Sequence, residues 1–586
     1  MKFLMIFYDV AIPEMGLDNL IYQCPAEIKT GVRVFVEVKK NLHAGFILGK
    51  SKNNLTGFKI KDIAAVIDEN PIIPPDLWDM AAYAGRVCLC GTSMALKAVL
   101  PRPLIMGNKI DGIVKNFVFN PKNFHEINFF NPFDSERFDF YLSELKINEK
   151  TLILFSRKET AEKFFASLPD ELKSRALLWS SSGKNYFASW LETLAGKFDL
   201  IIGTAGAVFA PLTPEKIIIE DEASTNYIIP PVLNISAMSL AGRRAIFTGA
   251  KLITGGLMPS LKTFMRKKPE EKFFPKRENI IFADIYHKKT FHEKSKGIEG
   301  SIPLTFSLIK NTYRELLNKN TVIWILDRLG TSSEVFCSRC GMTVKCPNPK
   351  CGNSMMSMGG GNLLKCRFCG TVMELPPKCG HCGFEILSGK RPGLEALAEI
   401  AGKYYDKVFL YADKYSGAKL KKNSLILSTR RGLELCGRFR PSLIAWLDLD
   451  LELSFPGHET ELEVFNLLYE SYWRGCEKKV LIQSRSSGMK TANFLSQGWE
   501  KFLTGELARR KEFNLPPFGC SIELEPKNKE LREKILDSFF DAGIFVMDSG
   551  DETRPLHINT VSLDPVRKVL NAIKFSKKDL KITLKN

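Results

Sequence analysis

Eight of the chain's 14 cysteines fall between Cys337 and Cys382, in four close pairs: Cys337/Cys340, Cys346/Cys351, Cys366/Cys369 and Cys379/Cys382. Three are C-x-x-C pairs, and Cys346/Cys351 is wider. Two thiolates on one tight turn can converge on a tetrahedral zinc ion at about 2.3 Å. Gly341, Gly352, Gly370 and Gly383 follow the second cysteines, where such turns need positive φ. The spacing therefore predicts two zinc ions with four cysteines each, structural because no position is left for water. Unliganded thiols and iron–sulfur clusters fit four such pairs less well. Four pairs can share two ions in three ways, and spacing does not choose among them. Cys24, Cys88, Cys90, Cys436, Cys476 and Cys520 are scattered and read as small packed hydrophobes.

A nucleotide-driven motor would need G-x-x-x-x-G-K-[ST], whose backbone N–H groups wrap the phosphates while Lys neutralises them. The chain has no match; Ser182-Gly183-Lys184 is followed by Asn185 and reads as a turn. Glu220, Asp221 and Glu222 end an apolar strand, where a motor places its magnesium carboxylate and water-activating acid. Without a P-loop they also read as an ordinary strand end, and no catalytic residue is assigned. Residues 262–296 interleave cations with Phe264, Phe273, Phe274, Tyr286 and Phe291. Arg266, Lys267, Lys268, Lys272, Lys276 and Arg277 are the candidate DNA contacts, with stacking on the aromatics. A solvated linker whose aromatics pack against its neighbours is the other reading. Arg509, Arg510 and Lys511 form a second basic group or an exposed helix face.

These groups must be positioned by several domains, since 586 residues exceed one core and suggest three to five units of roughly 150 residues. With 45% hydrophobic and 25% charged residues, the composition is that of an ordinary globular protein. No apolar run approaches the roughly 18 residues of a membrane span, and Asp9 stops the stretch Phe3–Phe7 too early for a signal peptide, so the cytoplasm is expected. Lys+Arg 83 against Asp+Glu 65 leaves +18, which favours nucleic acid over a membrane as partner. Two four-thiolate zinc units would lower +18 to roughly +14. Strands are predicted at Thr151–Phe155, Ala176–Trp179, Leu200–Gly203, Lys216–Ile219 and Ala245–Thr248, with helices near Glu159–Leu168 and Tyr186–Leu194. A second set is predicted at Val322–Leu326, Val408–Tyr411, Leu425–Ser428, Ile444–Leu447 and Val480–Gln483, with helices near Leu308–Leu317, Gly393–Tyr404 and Glu461–Tyr472. Each set argues for a parallel sheet with helices on both faces, and the cysteines interrupt the second after its first strand.

Several strings occur in a telling order. They are Gly31-Val32-Arg33-Val34 with Gly45; Ile73-Pro74-Pro75-Asp76-Leu77; Ala98-Val99-Leu100-Pro101; and Gly203-Thr204 with Ala207-Val208-Phe209-Ala210-Pro211. Leu326-Asp327-Arg328-Leu329-Gly330, the cysteine gaps and Leu515-Pro516-Pro517-Phe518-Gly519 follow. Together they resemble the primosomal protein N′ (PriA) replication-restart helicase family over nearly the whole chain. The resemblance implies a multidomain α/β fold, with 1–105 an N-terminal β-rich DNA-binding domain and 106–130 a linker in place of a curtailed winged helix. It further implies a helicase-like lobe at 131–255, a basic aromatic linker at 256–300, and a second helicase-like lobe at 301–336 and 384–490. A zinc-binding insertion at 337–383 and a small α+β C-terminal domain at 491–586 complete it. The family's nested arrangement would put Cys337, Cys340, Cys379 and Cys382 on one zinc and Cys346, Cys351, Cys366 and Cys369 on the other.

The departures from the family are concentrated at the motor. Where the family carries its P-loop, this chain has Asn131-Pro132-Phe133-Asp134-Ser135-Glu136-Arg137. The D-E-E-H box corresponds to Asp221-Glu222-Ala223-Ser224, making Asp221 and Glu222 a vestigial Walker B pair. Gly249-Ala250-Lys251 stands for the serine-alanine-threonine motif, and Glu470 and Arg474 for the last motif's Gln and paired arginines. The Phe-Asp-Tyr string of the 3′-terminal-base pocket aligns with Ile21-Tyr22-Gln23. The expectation is a replication-restart primosome protein that binds stalled or branched forks and single-stranded DNA and helps reload the replicative helicase. Single-strand-binding protein and the helicase loader are its expected partners; ATP and Mg²⁺ are not expected cofactors. The competing readings are an active 3′–5′ helicase with an unconventional nucleotide site and a zinc-stabilised scaffold that binds only protein.

Overall fold

The computed structural model describes residues 5–51, 60–110, 123–229, 233–294, 298–349, 351–367, 369–385, 387–412, 420–453, 457–485, 490–548, 555–573 and 579–585. Residues 111–122 of the stretch read as a curtailed winged helix, and Lys296 of the basic run, lie outside the described residues. The chain divides into two compact units, Met1–Glu270 with Leu507–Asn586, and Glu271–Glu506.

The first unit opens with a six-stranded sheet of β1 (Ile6–Ile12), β2 (Leu17–Cys24), β3 (Arg33–Val38), β4 (Asn41–Lys50) and the short β5 (Lys61–Asp62) and β6 (Ala65–Val66), in the order β5-β2-β1-β4-β3-β6. Alternation along the strands buries Tyr8, Val10, Ile12, Val34, Val36 and Ile47 on one face. Arg33 is fully buried and held by both carboxylate oxygens of Asp68, at 2.7 and 2.9 Å, and by the Leu104 carbonyl at 2.9 Å. The Gly31–Val34 string is thus a closure of this domain. Pro75 opens α1 (Pro75–Val87) at a position where its missing N–H costs nothing. Residues of α1 and of α2 (Gly91–Val99) share one hydrophobic core with the next sheet.

That sheet contains β7 (His125–Phe130), β8 (Thr151–Leu154), β9 (Ala176–Leu178), β10 (Leu200–Gly203), β11 (Lys216–Ile219) and β12 (Lys251–Gly256), ordered β7-β12-β11-β8-β10-β9. Every neighbouring pair is parallel. Its first strand therefore lies inside the stretch read as the 106–130 linker. The helix α3 (Asp134–Glu144) follows β7, and α4 (Ala237–Thr248) precedes β12. The strand expected at Ala245–Thr248 is the last turn of α4. Ser236 caps that helix, its hydroxyl accepting from Met238 N–H, and Gly249 ends it in the left-handed conformation. An ion pair of Arg244 and Asp76, 2.6 Å apart and both fully buried, joins α4 to α1, with Arg243 and Asp79 beside it. At the C-terminal end, a three-stranded antiparallel sheet of Cys520–Pro526, Leu556–Thr560 and Leu580–Lys585 packs with two helices around Ile522, Leu524, Ile535, Phe539 and Ile558.

The second unit is built on another six-stranded parallel sheet: β13 (Ile280–Asp284), β14 (Val322–Ile325), then, beyond the insertion, Val408–Tyr411, Leu425–Ser428, Leu443–Trp446 and Lys479–Ser484. Here β13 is the edge strand, paired with Lys479–Ser484, and it belongs to the stretch read as a basic linker. The cysteines sit on a separate sheet of β15 (Ser332–Cys337), β16 (Met355–Met358), β17 (Leu363–Cys366), β18 (Val372–Glu374) and β19 (Leu387–Pro392), antiparallel through β19-β15-β16-β17-β18. Among the described residues no helix is long and apolar enough to cross a membrane.

Candidate metal centres and the carboxyl edge of the first parallel sheet

The Sγ atoms of Cys337, Cys340, Cys379 and Cys382 all lie within 4.8 Å of one another, and those of Cys346, Cys351, Cys366 and Cys369 form a second such group. The ends of β15 and β17 deliver Cys337 and Cys366, and the turns supply the rest. In each C-x-x-C turn the first cysteine's N–H donates to the carbonyl five residues on: Cys337 to Met342, Cys366 to Thr371 and Cys379 to Phe384. The wide pair closes the same way over seven residues, Cys346 N–H donating to the Asn353 carbonyl at 2.7 Å. The two extra residues are absorbed in the loop, and both sulfurs still converge. The glycine after each second cysteine has φ between 60° and 76°.

Sulfurs approach at 3.6 Å for Cys337–Cys382, 3.8 Å for Cys340–Cys379, 3.4 Å for Cys346–Cys369 and 3.5 Å for Cys351–Cys366. The surrounding donors favour thiolate at Cys337, Cys351, Cys369 and Cys379, whereas burial and the neighbouring thiols raise Cys340 and Cys346. The Thr371 hydroxyl, 3.1 Å from Cys369 Sγ, helps hold that thiol down to about 6, and the Cys340 N–H holds Cys337 down to about 7. His381 N–H and the Asn353 amide point at Cys379 and Cys351, each at 3.4 Å. Four convergent sulfurs with N–H donors behind them fit a closed tetrahedral ion, so each group could hold a metal.

The second candidate position is the carboxyl edge of the β7–β12 sheet, where open α/β sheets bind ligands. Glu220, Asp221 and Glu222 follow β11 there, and the Asn131–Arg137 string connects β7 to α3. The structure brings these two strings together. Arg137, 4% exposed, reaches Glu220, 3% exposed, with its Nε 2.9 Å from Oε1. Its other nitrogens donate to the Asn131 carbonyl and, at 2.5 Å, to Asp134. Burial works against this charge, but the Glu220 and Asp134 carboxylates outweigh it and the guanidinium pKa lies above its ordinary value. Tyr141 donates to the other Glu220 oxygen at 2.5 Å.

The turn itself is satisfied internally. Phe133 N–H donates to Asn131 Oδ1, and the Asn131 amide donates to Glu136, at 2.8 and 2.7 Å. Asp221, at φ 58°, accepts from the Ser156 hydroxyl at 2.8 Å. Glu222 accepts from Ser260 N–H at 2.7 Å, and burial raises its carboxyl pKa. Gly255 and Gly256 complete the edge, since a Cβ on Gly255 would lie 2.0 Å from the Tyr141 hydroxyl and one on Gly256 2.8 Å from Asp221 Cα. Asp221 and Glu222 thus serve loop closure, and Glu220 is the acid at the centre. Arg137 and Glu220 lie 83 residues apart in separate strings and give no local signal of pairing.

The candidate DNA contacts are divided between the units. Arg266 and Lys267 end the helix Leu261–Lys267 of the first unit and flank Glu126 at 2.9 and 3.6 Å, with Lys268 capping that helix. Lys272, Lys276 and Arg277 begin the second unit, where Lys276 N–H donates to the Tyr472 hydroxyl and Arg277 stacks over Phe282. Of the interleaved aromatics, Phe264 is buried, while Phe274, Tyr286 and Phe291 are exposed. Glu470 and Arg474 pair with each other on the helix Thr460–Arg474 at 2.6 Å. In the N-terminal sheet, Tyr22 is buried with its hydroxyl on the Glu37 carbonyl, and Gln23 donates to Asp62 at 2.9 Å.

Residues 9–101 match the family model PriA_3primeBD, the 3′DNA-binding domain (3′BD). The replication restart protein PriA of Synechocystis sp. is 26% identical over 392 residues, covering 60% of this chain and 46% of that protein. The PriA of Helicobacter pylori J99 is 25% identical over 387 residues, covering 61% and 59%, and that of Thermotoga maritima 23% over 365 residues, covering 58% and 48%. The chain thus spans about half the length of the curated relatives it matches. A structure of RecG bound to a three-way DNA junction matches at a TM-score of 0.26 and 8% identity over 66% of this chain and 40% of that one, a superposition on which no argument rests. The chain is thus similar to the 3′DNA-binding domain over residues 9–101 and, at 23–26% identity over some 60% of its length, to replication restart PriA proteins of several bacteria.

Proposed function

We propose that this protein is a replication-restart factor that binds branched or forked DNA and single-stranded DNA, helps reload the replicative helicase, and does not hydrolyse ATP. Two zinc ions, one in each four-cysteine group, hold its insertion in shape. The observation that carries the reading is the buried Arg137–Glu220 pair at the carboxyl edge of the first parallel sheet. A working phosphoryl-transfer site presents donor amides, a lysine and a hydroxyl to phosphates and magnesium. Here a side chain of the protein occupies the central acid, and acids and a proline stand where the donor amides would be. Phosphate charge placed beside Asp134 and Glu136 would meet repulsion, and the Arg137 guanidinium is already taken up by Glu220 and Asp134.

The 3′DNA-binding domain match and the charge of +18 support the DNA-binding half of the reading. Arg266, Lys267 and Lys268 on one unit, and Lys272, Lys276 and Arg277 on the other, are its proposed contacts. Binding of the full, zinc-loaded chain to forked DNA, followed by gel shift across salt concentrations, tests this. Affinity that falls steadily with salt is expected. Absence of binding at low salt contradicts it and leaves the protein-only scaffold.

A further inference from the structure

The helix α5 (Phe306–Leu317) of the second unit buries Leu308, Thr312 and Glu315 and leaves Phe306, Lys310, Tyr313 and Leu317 exposed. Those four stand at i, i+4, i+7 and i+11, one narrow stripe along the helix. Its three apolar members are about half exposed or more, and Lys289 stands over the Phe306 ring at 5.5 Å. Phe291, also exposed, lies on the hairpin that leads into the helix, opposite Leu304. The acid of the helix, Glu315, accepts from the Asn320 amide at 2.9 Å and pairs with Lys479 at 3.3 Å. Glu293, the acid of the two hairpin strands, accepts from the Tyr404 hydroxyl at 2.5 Å. The stripe is thus apolar with a cationic margin of Lys289, Lys310 and Arg314.

A face of the opposite kind stands in the C-terminal part of the first unit, on α6 (Lys529–Asp541). Leu531, Ile535 and Phe539 are buried there, while Glu530, Glu533, Asp537 and Asp541 are exposed. The exposed Lys529 and Lys534 leave that side net acidic. Phe540 and, just beyond the helix, Phe545 are 84% and 79% exposed. Their backbone is held: Gly543 N–H donates to the Phe540 carbonyl at 2.9 Å, and Met547 and His557 exchange N–H donors at 2.8 and 3.0 Å.

Single exposed apolar side chains are ordinary, but a stripe along a helix and two phenylalanines on one fixed turn mark surfaces that partners cover. Helix recognition uses anchors at this i, i+4, i+7 spacing, and acids around a helix select cations around the stripe. Lys289 covers a face of the Phe306 ring on which a base would stack, so the stripe suits a helix better than a nucleic-acid strand. Each face is exposed, and a second copy of the chain supplies the complement of each. We infer that the α5 stripe of one copy binds the acid-and-phenylalanine face of α6 on a second copy. The contact is heterologous and joins copies head to tail. One helix face on another is a small interface, under about 1,200 Å², and the charge of +18 opposes it, so the association is weak and rises with protein concentration.

Sedimentation velocity of the full, zinc-loaded chain over a concentration series tests this. The weight-average sedimentation coefficient of the wild type should rise with concentration. Lys289→Glu/Lys310→Glu and Asp537→Lys/Asp541→Lys should each raise the dissociation constant by roughly tenfold or more, although they move the net charge in opposite directions. Phe540→Ser/Phe545→Ser, which changes no charge, should weaken association likewise. An equimolar mixture of the two charge-reversed variants should recover it, because their altered faces are again complementary while both chains stay net positive. Melting temperature and metal content of every variant should match the wild type. A wild type that stays monomeric at every concentration overturns the inference, as does association that either charge-reversed variant retains. Association lost in both variants and not recovered on mixing overturns the pairing of these two faces. A monomeric wild type whose Lys289→Glu/Lys310→Glu variant loses affinity for a single-stranded oligonucleotide reassigns the stripe to nucleic acid and overturns the self-association.

Discussion

At the carboxyl edge of the first parallel sheet, three consecutive acids meet an arginine, two serines and a tyrosine, and each carboxylate has a partner supplied by the chain. In the cysteine insertion, two sets of four sulfurs converge, with N–H and hydroxyl donors directed at Cys351, Cys369 and Cys379. Like groups that converge without a counter-charge need an ion to be stable together; opposite groups already paired do not. The contrast teaches that the two regions, both chemically suggestive in sequence, have opposite demands for a ligand.

The largest test of that contrast removes the metal. Apparent binding energies of structural zinc are on the order of 10–16 kcal/mol, so a strong chelator should unfold the insertion. Hydrogen exchange should accelerate at β16 and β17 and remain slow at β10 and β11, and Cys366→Ser should lower zinc from two ions per chain to one by elemental analysis. Protection of β16 and β17 that survives chelation would erase the contrast.

The next test opens the paired region. Arg137→Ala leaves Glu220 buried beside Tyr141 and should cost about 3–5 kcal/mol in denaturant unfolding. Arg137→Met with Glu220→Leu, which removes both charges, should recover most of that loss. A double variant as unstable as the single would mean that the pair does more than neutralise itself.

A smaller effect belongs to the second unit. Burial pushes the Glu452 carboxyl up to about 7 from an ordinary 4.5. The folded state therefore holds a proton that the unfolded state releases. Stability from this group is complete below about 4.5 and is lost as pH rises to about 7, with a slope of at most ~1.4 kcal/mol per pH unit. Glu271, also raised to about 7 by burial, titrates in the same window. Glu452→Gln should therefore flatten, without abolishing, the fall in urea midpoint between pH 5 and pH 7. The smallest effect is expected for Arg266→Gln. Its half-exposed pair with Glu126 should contribute under about 1 kcal/mol to stability, so a loss of DNA affinity there reads as lost phosphate contact.

Much of the parallel-sheet framework was legible because its strands are buried on both faces and so appear as continuous apolar runs. Leu200–Gly203, Lys216–Ile219, Val322–Ile325 and Leu425–Ser428 are of this kind. Ala245–Thr248 has the same look but is the last turn of a helix, with Ala245 and Thr248 buried and Ile246 exposed. The true strand, Lys251–Gly256, was hidden by two glycines that Tyr141 and Asp221 require. The edge strand Ile280–Asp284 was lost among the cations around it, and its partner lies some 200 residues away. The cysteine turns were readable because their chemistry is local. The Arg137–Glu220 pair was not, because burial and partnership across long separations exist only in the folded chain.

Hydrolysis of ATP by the purified, zinc-loaded full chain, measured with and without forked DNA that it binds, tests the central claim most directly. The account predicts no turnover above background in either condition while fork binding is retained. Robust DNA-stimulated hydrolysis, abolished by Glu220→Gln, would contradict it.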